Sequence, residues 1–184
     1  MSKRIALLTA AAFGALALTA TIVAPVNAQE KTVMVGGAAM FPSRNIIQNA
    51  VNSKDHTTLV AAVKAAGLVD TLEGKGPFTV FAPTNAAFGK LPAGTVGNLV
   101  KPENKATLTK ILTYHVVPGK LEASDLSDGK KLKTVEGEEL TVKKANGKVM
   151  IVDAKGDTAT VTISNVNQSN GVIHVVDTVL MPAS

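Results

Sequence analysis

Cysteine and tryptophan are absent from this 184-residue chain, and its aromatics are Tyr114 with Phe13, Phe41, Phe78, Phe81 and Phe88. Without cysteine there can be no disulfide, thiolate nucleophile, lipidated N-terminal cysteine, iron–sulfur cluster or Cys-containing zinc site. An aromatic content of 3% removes the stacking platforms of single-strand nucleic-acid binders and disfavours a sugar-stacking groove. Strong charge of either sign is missing too. The 19 Lys+Arg and 14 Asp+Glu are interspersed, so no stripe tracks a phosphate backbone, and nucleic acid is not an expected partner. What is plentiful is apolar residues, 46% of the chain, enough to build the core of about one domain.

The long uncharged run lies at the start, from Ile5 to Val26, behind Lys3-Arg4 and ahead of Val26-Asn27-Ala28. A positive start, an apolar run and small residues three before and one before a cut mark residues 1–28 as a cleavable signal peptide. The mature chain then begins at Gln29 with no membrane span, and losing Lys3 and Arg4 from the 19 cations leaves 17 against 14 anions. A secreted, periplasmic or cell-surface location follows from that leader.

Residues 29–45 are rich in glycine and alanine without a period and are expected to form an extended lead-in. Pro42-Ser43 is expected to open a helix through Asn49, and Asp55 to cap a second helix whose Leu59, Val60 and Val63 share a face before Gly67 stops it. A further turn runs from Leu68 to Glu73. Phe78 to Phe81, bounded by prolines, suits a buried strand; Thr84 can cap the next helix, and helices at Pro92 and Pro102 follow. Past Pro118 the apolar period changes to two. Leu140–Lys144 and Lys148–Val152 flank Asn146-Gly147, a strong hairpin signal because both residues tolerate positive φ. Thr158 to Ile163 alternates as a half-buried strand. Val172 to Leu180 is apolar on both faces and so is expected to be central in its sheet. A helical first half and a β-rich second half make an α+β chain.

Three segments together carry a resemblance: Phe78-Thr79-Val80-Phe81-Ala82-Pro83-Thr84-Asn85-Ala86-Ala87-Phe88, then Tyr114-His115, then Asn170-Gly171-Val172-Ile173-His174-Val175-Val176-Asp177-Thr178-Val179-Leu180-Met181-Pro182. In order and spacing they resemble the fasciclin domain family, and the similarity spans residues 46–182 as a single domain. The resemblance implies a wedge of two β-sheets with helices packed around it. Within that fold, Phe78, Phe81, Pro83, Thr84, Phe88, Gly171, Ile173, His174, Val175 and Asp177 belong to the structural motifs. It further implies a secreted, non-catalytic module for cell adhesion, with a cell-surface or matrix protein or polysaccharide as partner. The recognition neighbourhood it implies is Asn85, Tyr114 and His115. The alternative is a periplasmic carrier of a small apolar ligand, and a third reading is an envelope hydrolase using His115.

Any acid–base or metal chemistry has to pass through the three histidines. His115 follows Leu108, Ile111 and Leu112 by seven, four and three residues, which sets its ring on an apolar helix face if the helix continues that far. There it is expected to hydrogen-bond a neighbour such as Asn85. His174 and Asp177 are an odd number of residues apart and leave a strand on opposite faces, so they make no dyad. His56 is expected to be exposed in a first helical turn. No two histidines share a metal-ligand spacing and no nucleophile elbow or phosphate loop appears, so neither metal nor cofactor is expected. Lys155-Gly156-Asp157 is read as a strand-connecting turn, although it resembles an integrin-binding tripeptide. Asn167-Gln168-Ser169 fits the glycosylation pattern.

Overall fold

The computed structural model describes residues 31–183, so the expected signal peptide over 1–28 lies outside the described residues. The part of the lead-in that is described is a hairpin, not a loose arm: β1 (Val33–Val35) pairs antiparallel with β2 (Ala38–Met40). Gly36 and Gly37 turn it at φ 57° and 76°, a left-handed pair that glycine enters without a Cβ penalty. Val35 and Met40 then bury against the helices.

Six helices follow: α1 (Ile46–Ala50), α2 (Thr57–Ala66), α3 (Val69–Glu73), α4 (Asn85–Gly89), α5 (Thr95–Leu99) and α6 (Lys105–Tyr114). The first begins later than Pro42-Ser43 suggested, because Asn45 and Gln48 form a capping box that fixes the start. Asp55 does not cap α2. It sits within a 3-10 turn, Lys54–His56, and α2 starts at Thr57. Gly67 stops α2 at φ 73° as expected. The helix expected at Pro92 begins only at Thr95, after Gly94 has turned left-handed at φ 83°; Pro102 opens a 3-10 turn that leads into α6.

Seven strands make one sheet in the order β4-β3-β9-β8-β7-β6-β5, comprising β3 (Phe78–Pro83), β4 (Val116–Pro118), β5 (Lys131–Lys133), β6 (Glu139–Ala145), β7 (Lys148–Val152), β8 (Thr158–Gln168) and β9 (Gly171–Val176). The fold of the sheet is set in β8. This strand is 11 residues long, pairs β7 through Thr158–Thr160 and β9 from Val161 onward, and carries register shifts between Val161 and Val166 with Asn165 at φ 57°. Bulges bend and twist a strand, so the sheet divides at β8 into two leaves that form a wedge. The Val135 N–H donates to the Val116 carbonyl at 2.8 Å and bridges the open side of the wedge.

Two apolar clusters fill this frame. Helical residues such as Leu59, Val63, Leu108 and Ile111 pack with Val80, Ile173, Val175 and Val179 in one cluster; Phe81, Tyr114, Leu126, Leu140, Ile151, Val176 and Leu180 form the other, inside the wedge. β9 is buried along its whole length between β3 and β8, the central position its two apolar faces suggested. It ends at Val176 and not at Leu180, because its partner β3 ends opposite it at Pro83. β3 and β9 run parallel with Phe78 opposite Gly171, and a Cβ on Gly171 would fall on the Phe78 carbonyl. Glycine there is a requirement of close backbone approach.

Candidate functional site

Tyr114 and His115 end α6 and are neighbours in sequence, but their side chains enter different surroundings. Leu108, Ile111 and Leu112 bury one face of α6, and His115 extends that face from the C-cap, 2% exposed. Its Nδ1 lies 2.8 Å from the Ile111 carbonyl, and its Nε2 accepts the Leu180 N–H at 3.0 Å. A carbonyl only accepts and an N–H only donates, so the tautomer is fixed: the proton sits on Nδ1 and the lone pair on Nε2. Burial pushes the imidazole pKa down to about 4, against the opposing pull of the Ile111 carbonyl and the Asp153 carboxylate. This histidine is neutral at pH 7, with both nitrogens occupied.

Tyr114, fully buried, is held in the wedge cluster. Its hydroxyl donates to the Glu139 carbonyl at 3.3 Å and accepts the Ala154 N–H at 2.9 Å, tying α6 to β6 and to the turn after β7. Burial raises its pKa to about 12; the Ala154 N–H opposes that shift, and the charges of Asp153, Glu138 and Glu136 add to it. Asn85 is elsewhere and does not meet His115. Its Oδ1 accepts from the Thr58 N–H at 3.0 Å and the Thr57 hydroxyl at 3.2 Å, and its Nδ2 donates to the Lys54 carbonyl at 2.9 Å. It caps the start of α2 from the neighbouring helix.

The three residues expected to form one recognition neighbourhood are therefore brought to three separate structural tasks. His174, buried beside Phe81 with ring centroids 5.7 Å apart, places Nε2 2.7 Å from the Leu121 carbonyl. Its Nδ1 accepts from the Asn165 N–H. Asp177 accepts from the Thr160 N–H and the Thr178 hydroxyl, so it has no part in a His174 dyad. Of the other motif positions, Thr84 caps α4 by accepting the Ala87 N–H, Pro83 closes β3, and Phe88 is buried in the helical cluster. Lys155-Gly156-Asp157 is an exposed turn between β7 and β8, with Gly156 at φ 88°. The buried Asp153 carboxylate organises that turn by accepting from the Lys155, Asp157 and Met181 N–H groups.

His56 departs most from expectation. It is 3% exposed, not solvated, with Nδ1 2.8 Å from the Ser53 hydroxyl. The spacing His56, Leu59, Val63 was the signal for this, since all three lie one helical face apart. Two other buried polar residues were not legible in the sequence. Asn170 accepts the Ile46 N–H and donates to the Leu72 and Gly74 carbonyls, and Asn49 bonds Gln168 and the Phe41 backbone. Their partners are too distant in the chain for any local pattern to announce. Among the described residues, no group of three or more His, Asp or Glu side chains is placed to hold a metal ion.

Two features remain that a ligand could use. The first is the outer face of the second leaf. The registers put Lys131, Lys133, Glu139, Thr141, Lys143, Lys148, Met150, Thr158 and Thr160 on the same side, opposite the buried Leu132, Leu140, Val142 and Ile151. Lys131 pairs with Glu139 at 3.4 Å, which leaves this face positive. The second is an apolar cavity of about 80 Å³ between the helices and β3/β9, walled by His56, Leu59, Val63, Leu72, Val80 and Ile173.

The Fasciclin domain family matches residues 54–182, from the 3-10 turn before α2 to the end of the wedge cluster. The chain belongs to the fasciclin domain family. Protein sll1483 of Synechocystis is 48% identical over 181 residues, which cover 98% of this chain and 97% of that protein. The cell surface glycolipoprotein MPB83 of Mycobacterium bovis is 40% identical over 153 residues, covering 80% of this chain and 64% of its own length. The immunogenic protein MPB70 of the same species is 38% identical over 138 residues, covering 72% and 66%. The fold is shared with a FAS1 domain pair from the insect cell adhesion molecule Fasciclin I, at TM-score 0.68 and 20% identity, over 77% of this chain and 52% of that one. This fasciclin chain is thus α+β with the β-wedge and packed helices of its family, whose members are generally binding and adhesion modules. Among the described residues no helix is long and apolar enough to cross a membrane.

Proposed function

We propose that this fasciclin chain is a secreted, non-catalytic adhesion module that attaches the cell surface to an acidic matrix polysaccharide through the outer face of β5–β8. The observation that carries the reading is the shared face of Lys131, Lys133, Lys143 and Lys148, with Glu139 as its one acidic residue and threonine hydroxyls between. A β-leaf sets the stems of those lysines in fixed register, and a polymer of repeating carboxylates or sulfates meets several of their ammonium groups at once. Each contact is weak at physiological salt, and the repeat turns weak contacts into attachment. The relative named a cell surface glycolipoprotein and the fold shared with a cell adhesion molecule support a role at the surface. A hydrolase using His115 is disfavoured because both ring nitrogens are held by backbone groups.

Binding of the mature chain to immobilised alginate, with neutral dextran as control, tests the reading. Wild type is expected to bind alginate, to release as salt rises, and to ignore dextran. Lys143→Glu combined with Lys148→Glu is expected to abolish retention without moving the melting temperature, since both side chains are exposed and their cross-strand partners, Met150 and Ala145, carry no charge. Retention unchanged by that double substitution would reject this face, and attachment to a protein-coated surface alone would make the partner a protein.

A further inference from the structure

Asparagine precedes glycine twice in the chain, at Asn146-Gly147 and Asn170-Gly171. At every other asparagine of the described residues the next residue carries a side chain. The distinction is chemical, because a side chain on the following residue shields its backbone nitrogen and glycine has none to do so. The fold then treats the two pairs oppositely. Asn170 is buried, its Oδ1 accepts the Ile46 N–H, and its Nδ2 donates to the Leu72 and Gly74 carbonyls, so its amide is held from both ends. Asn146 is exposed at the tip of the β6–β7 hairpin, and among the described residues its side chain has no hydrogen-bond partner. The Gly147 N–H has none there either, since the ladder closes beneath it at Ala145 and Lys148. Apart from its chain neighbours, nothing lies within 4 Å of where a Gly147 Cβ would stand.

A side-chain amide beside a bare backbone nitrogen can close on it. The Gly147 nitrogen bonds to Cγ of Asn146 and gives up its proton, the Cγ–Nδ2 bond breaks, and Nδ2 takes up a proton and leaves as ammonia. The product is a cyclic succinimide. Water then adds to one of its two carbonyls and breaks the bond from that carbon to the ring nitrogen, which regains a hydrogen. Opening at the former backbone carbonyl gives isoaspartate, and opening at Cγ gives aspartate. Water is the one co-reactant, and nothing is oxidised or reduced. Closure needs rotation about the Asn146 backbone, and a hairpin tip without contacts offers that rotation little resistance. We propose that Asn146 is a self-modifying site, at which the hairpin loses ammonia and gains a carboxylate as the protein ages. Asn146 lies two residues from both Lys144 and Lys148, so its Cα is at most roughly 7 Å from theirs. That is inside the ~8 Å Debye length of physiological salt. The effect on attachment, which rests on the lysine-face reading, is to cancel one ammonium of that face and weaken its hold on an acidic polymer.

Incubation of the mature wild-type chain at pH 7.5 in heavy-oxygen water, followed by peptide mass mapping, tests the site. Heavy oxygen is expected at position 146 and not at Asn170. Uptake is expected to slow at pH 5, because the attacking nitrogen must shed its proton. The same incubation in denaturing urea is expected to label Asn170 as well, since only the fold protects it. Asn146→Gly keeps the hairpin, because Gly-Gly also suits its turn, and supplies the unreactive control. On immobilised alginate, aged wild type and fresh Asn146→Asp, whose Asp-Gly pair fits the same turn, are both expected to bind about twofold more weakly than fresh wild type, the size of one exposed ion pair. Aged Asn146→Gly is expected to match its fresh form. Absence of label at Asn146, or equal label at Asn170 in the folded chain, overturns the proposal. Label at Asn146 with alginate binding unchanged by age overturns the charge effect, whereas fresh wild type that ignores alginate rejects the lysine-face reading and leaves the labelled site standing.

Discussion

At the residue scale, adjacent positions in a chain need not share a function. Tyr114 and His115 diverge because the first points into the wedge and the second lies on the apolar face of α6. The burial of His115 was legible in the spacing of Leu108, Ile111 and Leu112. Its partners were not, since the Leu180 N–H is 65 residues away and belongs to backbone, which has no sequence signature. His115→Ala leaves that N–H and the Ile111 carbonyl without their side-chain partner, at a cost of about 1–3 kcal/mol. Urea denaturation should show this loss, and alginate retention should be unchanged once corrected for the folded fraction. Lost retention at wild-type stability would instead place His115 at the binding surface.

At the element scale, Asn85 shows how a residue of one helix starts another. Its amide oxygen takes the place of a local N-cap on α2, whose own preceding residue, His56, makes no side-chain cap. This explains why Asp55 looked like the cap and is not: the 3-10 turn holds it two residues before the helix start. Asn85→Ala should cost about 1–2 kcal/mol in a thermal melt, the loss of a cap. Asn85→Asp keeps the acceptor, places negative charge at the helix N-terminus, and should cost less. Equal losses in the two variants would show that the Nδ2 bond to Lys54, not the cap, is the important one. Other elements were legible to the degree that their signals were long. Asn146-Gly147 marks the β6–β7 hairpin, with Asn146 at φ 52° and Gly147 at φ 73°. Three-residue strands such as β1 and β2 are too short to show a period, so only the glycine pair between them hinted at the turn.

At the scale of the whole molecule, the three histidines act together although they are far apart in the sequence. Each is buried, and burial lowers each pKa from 6.5 by penalising the charged form, while backbone carbonyls and nearby carboxylates oppose it. The unfolded chain therefore binds protons that the folded chain refuses, and stability falls as pH drops. The sign follows from the depressed values: the full contribution is present above pH 6.5 and is lost progressively down to about 4, where His115 itself titrates. From these two values His115 alone should remove about 2 kcal/mol between pH 7.5 and pH 5, with His56 and His174 adding in the same direction. Urea melts at the two pH values measure this in a window above most carboxylate titrations. His115 protonation breaks the bond that Leu180 donates to Nε2, so the loss should begin where α6 meets the segment that follows β9. Hydrogen exchange at the Leu180 amide should accelerate first as pH is lowered, once the intrinsic pH dependence is removed. Stability that stays level from pH 7.5 to pH 5 would mean that these imidazoles charge freely in the folded state, and that their burial is not what joins the helices to the wedge.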